Sequence, residues 1–218
     1  LAWWREEIMQ LFDNQPSHFV TQSLLNPISS FRLRRQDFLD IIDGMDMDNR
    51  GSVRIQTLEE LEKYCDRVAC AVGRLSVRVF GVPHELQLPL AFAQGQALQL
   101  TNILRDIKED LSIDRIYIPA ELLSTFGIEF GTASELLNHK ALPIVCEKLV
   151  DIANNHYQEA RKIMEACNKV KVRPARIMLE VYDLILKKLV TLKWDPAGRK
   201  PRLSRSEVIW IFLRFGCF

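Results

Sequence analysis

Apolar residues recur at three- and four-residue intervals along most of the chain, and no stretch sustains the alternate-residue pattern that would force a strand. The pattern predicts an all-α protein. Helices are expected over 1–13, from Ser17 as cap to about Leu25, over 36–47, and from Thr57 to about Phe80. Further helices follow over 86–111, in a short piece after Pro119, and over 131–138, 140–168 and 174–192, with a last apolar one in EVIWIFLRF. Asn14 with Pro16, Asn26-Pro27, the DNRGS turn, Gly81 with Pro83, Gly127, His139-Lys140 and Val172-Arg173-Pro174 supply the expected breaks. Thr57 with Glu60 and Ser204 with Glu207 have capping-box spacing. No internal repeat or second compositional region occurs, so one domain over 1–218 is expected, with 204–218 as a peripheral C-terminal helix.

Composition narrows the partners. The 218 residues are 48% hydrophobic, enough for a substantial core, and 29 basic against 28 acidic residues leave a net charge of +1. Such a balance argues against a nucleic-acid partner, so charge-driven recognition must be local. The five cysteines, Cys65, Cys70, Cys146, Cys167 and Cys217, are scattered and lack metal-ligand spacing, which fits a reduced, cytoplasmic setting. No apolar run reaches the roughly 18 residues of a spanning helix, and the opening LAWWREEIMQLF has no signal-peptide pattern. That opening lacks a methionine and reads as a helix in mid-course, so a fragment or a processed chain is expected.

The stretch TNILRDIKED draws attention to one helix face. At about 100° per residue, Leu100, Ile103, Leu104, Ile107 and Leu111 form an apolar stripe, and Gln99, Asn102, Asp106 and Asp110 run along its edge. An exposed acid pair four residues apart is common on solvated helices. A row of amides and carboxylates beside an apolar stripe, however, offers the oxygen ligands that Mg²⁺ takes together with substrate phosphate. Arg105 and Arg115 match phosphate oxygens, while Arg105 and Glu109 sit further from the core on the wheel. The small residues of VACAVG and AFAQGQA leave two readings open, close helix packing or room for a long apolar ligand. Asp43, Asp46 and Asp48 in IIDGMDMDNRG lack the glutamate that completes a calcium loop, and the segment reads as a helix end.

The strings YCDRVACAVG and QALQLTNILRDIKEDLSIDRIYIP resemble the squalene and phytoene synthase family, and the resemblance runs from LAWWREEI to near Lys193. LAWWREEI and IIDGMDMD are similar to the bacterial branch that makes presqualene diphosphate in hopanoid-type squalene biosynthesis. The resemblance implies an isoprenoid-synthase helical bundle around a central cavity, in which two prenyl diphosphates, here two farnesyl diphosphates, condense head to head. It implies that Asn102, Asp106 and Asp110 hold Mg²⁺, with Mn²⁺ as an alternative ion, on the substrate diphosphate. Gln99 would line the same pocket, and Arg105 and Arg115 would contact the diphosphate. Tyr64 matches the family's active-site tyrosine, whose phenol would bond the departing diphosphate or assist the proton loss that closes a cyclopropane; a buried, satisfied tyrosine is the bland alternative. Val68, Ala69, Val72 and Gly73 are candidates for the cavity wall.

The family's first aspartate-rich motif is expected before LAWWREEI, and no stretch of this sequence substitutes for it. No G-x-G-x-x-G fingerprint occurs, so an NADPH-dependent reductive step has no support in the sequence. Phytoene or dehydrosqualene synthesis is the sister reading, and a non-catalytic helical assembly protein is the reading from another class. EVIWIFLRF following the basic GRKPR suggests peripheral association with the inner face of the cytoplasmic membrane, against which stands simple packing of a C-terminal helix.

Overall fold

The computed structural model describes residues 1–49, 51–129, 132–195 and 200–216. Three helices open the chain: α1 (Ala2–Phe12), α2 (Phe19–Phe31) and α3 (Arg35–Asp48). Ile8, Leu11 and Ile42 bury together, with Phe12, Leu24, Leu25, Ile28, Phe38 and Leu39 packed around them. Buried Glu7 ties the first connection down: its carboxylate accepts from Ser17 N at 2.9 Å, Ser17 Oγ at 2.6 Å, His18 N at 2.8 Å and the Thr21 hydroxyl.

Two expectations fail in this region. The cap of α2 is His18, whose Nδ1 accepts from Val20 N at 3.3 Å, because Ser17 is engaged by Glu7. The helix also runs through Pro27 to Phe31. Proline removes one backbone bond and typically costs about 3 kcal/mol in a helix interior. Here Leu24, Leu25 and Ile28 hold both sides of the break on one core, while the unbonded Ser23 carbonyl lies on an exposed turn.

A two-residue strand, β1 (Val53–Arg54), pairs in parallel with β2 (Arg115–Ile116). This short ladder escapes period-two analysis, and it is what brings residues near 48 and near 115 together. Between the strands, α4 (Leu58–Cys65) starts at Thr57, whose hydroxyl accepts from Glu60 N at 3.1 Å. The Glu60 carboxylate reaches back one residue further than a capping box requires, to Gln56 N at 2.7 Å. The single helix expected up to Phe80 is interrupted by a π-helical turn over Asp66–Cys70 before α5 (Ala71–Val79).

The 29-residue α6 (His84–Ser112) is the axis of the molecule, flanked by α5 and the π turn, by α9 (Leu142–Glu165) and by α10 (Lys169–Leu192). Two short helices, α7 (Ala120–Thr125) and α8 (Ala133–Leu137), lie between α6 and α9 in the chain; the start of the latter, expected at 131, falls outside the described residues. The α10 helix begins at Lys169 and passes through Pro174, where a break was expected. Asn168 caps it, accepting from Val170 N and Lys171 N at 3.0 and 3.2 Å, and the carbonyl Pro174 leaves unbonded belongs to exposed Val170.

A final helix, α11 (Arg205–Gly216), carries the expected capping box: Glu207 N donates to Ser204 Oγ at 3.3 Å and Ser204 N to Glu207 Oε2 at 2.7 Å. It packs on α10 through buried Ile211 and a Lys188–Glu207 pair at 2.7 Å. Part of the basic linker before it, 196–199, lies outside the described residues, as does Cys217. The other four cysteines are buried and unpaired. No helix among the described residues is long and apolar enough to cross a membrane.

Candidate active site along the central helix

Six of the residues expected at the site meet at one cavity. Val68, Ala69 and Val72, with Gly73, form one wall, and Gln99 and Asn102 of α6 line the opposite side together with Leu98 and Tyr182. The space is about 240 Å³. Both readings of the small residues hold at once. A Cβ on Gly95 would fall 2.6 Å from Cys70 Sγ and 2.7 Å from Cys70 Cα, so the helices touch there, and the same glycine borders the cavity.

The polar end of the site continues along the same face of α6. Asn102 donates from Nδ2 to Gln99 Oε1 at 3.3 Å, and its buried Oδ1 has no partner. One turn on, about 6 Å along the helix, Asp106 accepts from Arg105 Nε at 2.9 Å and Nη2 at 2.6 Å, and from Lys200 at 2.7 Å. Arg105 is therefore folded onto its neighbour, where the helical wheel had it pointing away. Burial opposes charge on Asp106, but Arg105 and Lys200 outweigh it and hold the carboxyl below its usual range. Asp110, another turn further, is pushed up to about 6 by burial and by the Asp106 charge, with Arg115 opposing and Asp48 adding to the rise.

Tyr64 is buried, does not line the cavity, and stacks on Tyr117 with ring centroids 4.7 Å apart. Its hydroxyl donates to Asp48 Oδ2 at 3.3 Å, and that of Tyr117 to Asp48 Oδ1 at 2.7 Å. Arg115 Nη2 donates to the Asp48 carbonyl at 2.9 Å. Burial first, then the Tyr117 hydroxyl and the Asp48 charge, raise the Tyr64 phenol far above its ordinary range.

The residue reading missed Asp48, Tyr117 and Lys200. The only available signal was for Tyr117: in the strand-like run Arg115-Ile116-Tyr117 it shares a face with Arg115. Lys200 also pairs with Glu109 at 2.8 Å, and beneath it lies a second hollow of about 200 Å³ walled by Leu104, Ile107, Leu142, Leu189 and Trp194. Trp194, which borders the same hollow, donates from Nε1 to the Leu104 carbonyl at 3.0 Å. Among the described residues, no three acidic, histidine or cysteine side chains converge as a metal-ligand cluster.

Along α6 the apolar cavity gives way to an amide, two carboxylates and Arg105, and Arg115 comes in from β2. A model of squalene/phytoene synthase matches residues 1–207. The chain belongs to the squalene/phytoene synthase family. It is 40% identical over 215 residues to a presqualene diphosphate synthase of Rhodopseudomonas palustris, covering 99% of this chain and 77% of that one. A 15-cis-phytoene synthase from a Synechocystis strain is 34% identical over 195 residues, covering 84% of this chain and 58% of that one. Among solved structures, squalene synthase HpnC from Alicyclobacillus acidocaldarius superposes with a TM-score of 0.76 at 27% identity, covering 88% of this chain and 71% of that one. The helical architecture is that of the isoprenoid synthases, and the family is one of prenyltransferases that act on prenyl diphosphates.

Proposed function

We propose that this chain joins two farnesyl diphosphates head to head, giving presqualene diphosphate and releasing diphosphate. The observation that carries this reading is the continuity of the α6 face, from apolar cavity through Asn102 to Asp106 and Asp110. Apolar tails would lie against Val68, Ala69 and Val72, which exclude water from an allylic cation. The diphosphate would lie at the carboxylate end, where Arg105 and Arg115 offer guanidinium groups.

A divalent cation, Mg²⁺ or Mn²⁺, fits the row. The Asn102 Oδ1 is buried without a partner, and burial together with the Asp106 charge raises Asp110, a strain that a bound cation relieves. Held by Asn102, Asp106 and Asp110, such an ion would neutralise charge on the diphosphate oxygens. Phytoene or dehydrosqualene synthesis is the second reading, supported by the phytoene synthase relative; the higher identity and coverage of the presqualene relative favour the first. No reductive step is included, since the sequence has no dinucleotide fingerprint. A product this apolar suits work at the inner face of the cytoplasmic membrane, and α11 offers exposed Val208, Ile209, Trp210, Phe212 and Leu213 for lying in the interface.

The test is incubation with farnesyl or geranylgeranyl diphosphate and Mg²⁺, with and without NADPH, followed by product analysis. Presqualene diphosphate from the farnesyl substrate is expected without NADPH. Diphosphate release from neither substrate would refute the enzyme reading in favour of an assembly protein, and a product from the geranylgeranyl substrate alone would favour phytoene synthesis.

A further inference from the structure

The cavity beside α6 has a direction, and three helices agree on it. On α6 its lining runs from Ala91 to Gln99 and Asn102, where the row of amides and carboxylates begins. Along the π turn and α5 it runs the opposite way, from Val68 to Phe80, because a Cβ on Gly73 would meet Ala91 at 3.2–3.4 Å and one on Gly95 would meet Cys70. On α10, the Ala175 carbonyl accepts from Gln94 Nε2 at 2.9 Å, and Tyr182, two turns on, lies beside Arg105. One end of the cavity is therefore polar and holds Asn102 and Tyr182. The other is apolar and holds Ala91, Val77 and Phe80.

Side-chain size changes abruptly toward the apolar end. The wall is small or branched through Ser76 and Val77, and then comes Phe80, half-buried at the end of α5 and packed against the core. Helical side chains lean toward the N-terminus of their own helix, which brings the Phe80 ring back over the end of the cavity it lines. From Ala91 to Asn102 is eleven residues, about 16 Å of helix. An isoprene unit adds four carbon–carbon bonds of about 1.5 Å, or about 5 Å of extended zigzag, so a farnesyl tail spans about 15 Å and a geranylgeranyl tail about 20 Å. The first ends at Phe80, and the second overruns it.

We propose that Phe80 is the stop that sets prenyl chain length, ending the space at a farnesyl tail and excluding a geranylgeranyl one. This rests on the condensation reading and names the residue on which its choice of substrate turns. The ring acts by volume: past it, the extra isoprene unit of the longer chain has no apolar wall to lie along. Ser76, one turn earlier on the same wall, probes the same geometry from the other side. Its hydroxyl is satisfied within the helix, donating to the Val72 carbonyl at 2.9 Å, so a larger apolar side chain there would move the stop inward.

The test is kcat/KM with geranyl, farnesyl and geranylgeranyl diphosphates for the unsubstituted protein, Phe80→Ala, the milder Phe80→Leu, and Ser76→Phe, with helical circular dichroism as the check on folding. A single methylene in an apolar pocket is worth about tenfold or more in discrimination, so Phe80→Ala should raise the geranylgeranyl-to-farnesyl ratio by at least about tenfold. Phe80→Leu should raise it less, and Ser76→Phe should shift preference from farnesyl toward geranyl. Unreactive thiodiphosphate analogues of the three substrates, titrated by calorimetry, should show the same order in Kd. Unchanged ratios in Phe80→Ala, or equal losses at every chain length, would overturn the proposal; Ser76→Phe decides it if neither Phe80 variant folds. An unsubstituted protein that turns over no substrate would instead overturn the condensation reading, and the analogues would still report where the cavity ends.

Discussion

Asp106 and Asp110 are equivalent in the sequence, but their surroundings set them apart. Asp106 is neutralised by Arg105 and Lys200, whereas Asp110 keeps a partly frustrated charge. Asp106→Asn and Asp110→Asn should each lower turnover by about 10²-fold or more, as loss of a charge-stabilising group does, with helical circular dichroism unchanged; full activity in both would refute their role. Glu7 supplies a stability test of the opposite kind. The Ser17 and Thr21 hydroxyls, helped by backbone N–H groups, lower its carboxyl to about 2 from an ordinary 4.5, against the effect of burial. A depressed folded-state pKa means stability that is fully present above about 4.5 and lost as the pH falls toward about 2. Urea midpoints should therefore drop across that window in the unsubstituted protein. Glu7→Gln should be less stable at neutral pH and show a flatter acid limb.

At the scale of elements, the crossing of α6 with the π turn is the tightest contact in the molecule's described glycines. Gly95→Ala forces a methyl against the Cys70 backbone, and only a helix shift can relieve it. Overpacking of this kind costs about 1–3 kcal/mol, so a melting point lower by several degrees is expected, with activity falling as the adjoining cavity wall moves. Helix existence and the capping at Thr57 and Ser204 were legible from local chemistry, because the signals and the structure they specify lie within four residues of each other. Pro27 and Pro174 misled because proline reports a local cost, and here burial of residues on both sides of the break decides the outcome. The π turn had no readable sign in local sequence; its last residue, Cys70, packs against Gly95, a contact across 25 residues.

For the whole molecule, α1–α3 form a small core of their own, joined to the rest in part through Arg74 of α5. Its guanidinium reaches Asp37 at 2.6 Å and Asp40 at 2.7 Å on α3, and Asp66 in the π turn at 2.7 Å. Removing one partner from such a low-exposure ion cluster typically costs about 3–5 kcal/mol. Arg74→Met should therefore lower the denaturation midpoint strongly, and through Asp48 on the same helix it should also disturb the Tyr64–Tyr117 pair. The row Gln99, Asn102, Asp106, Asp110 could be read from the sequence because all four lie on one helix. Asp48, Tyr117 and Lys200 could not, since each reaches the site only through tertiary approach: the β1–β2 pairing for the first two, and ion pairs with Asp106 and Glu109 for the third.

The π turn also fixes a phase. Each residue of a helix turns it by about 100°, and the wider turn between Tyr64 and Gly73 sets how the two ends of this rod are rotated against each other. One end is indexed to the strand pair and Asp48, the other to the cavity. Deleting a single residue there would keep a helix, yet swing the phenol out of register with the wall it serves. The length of this segment is thus as much a part of the site as any side chain in it.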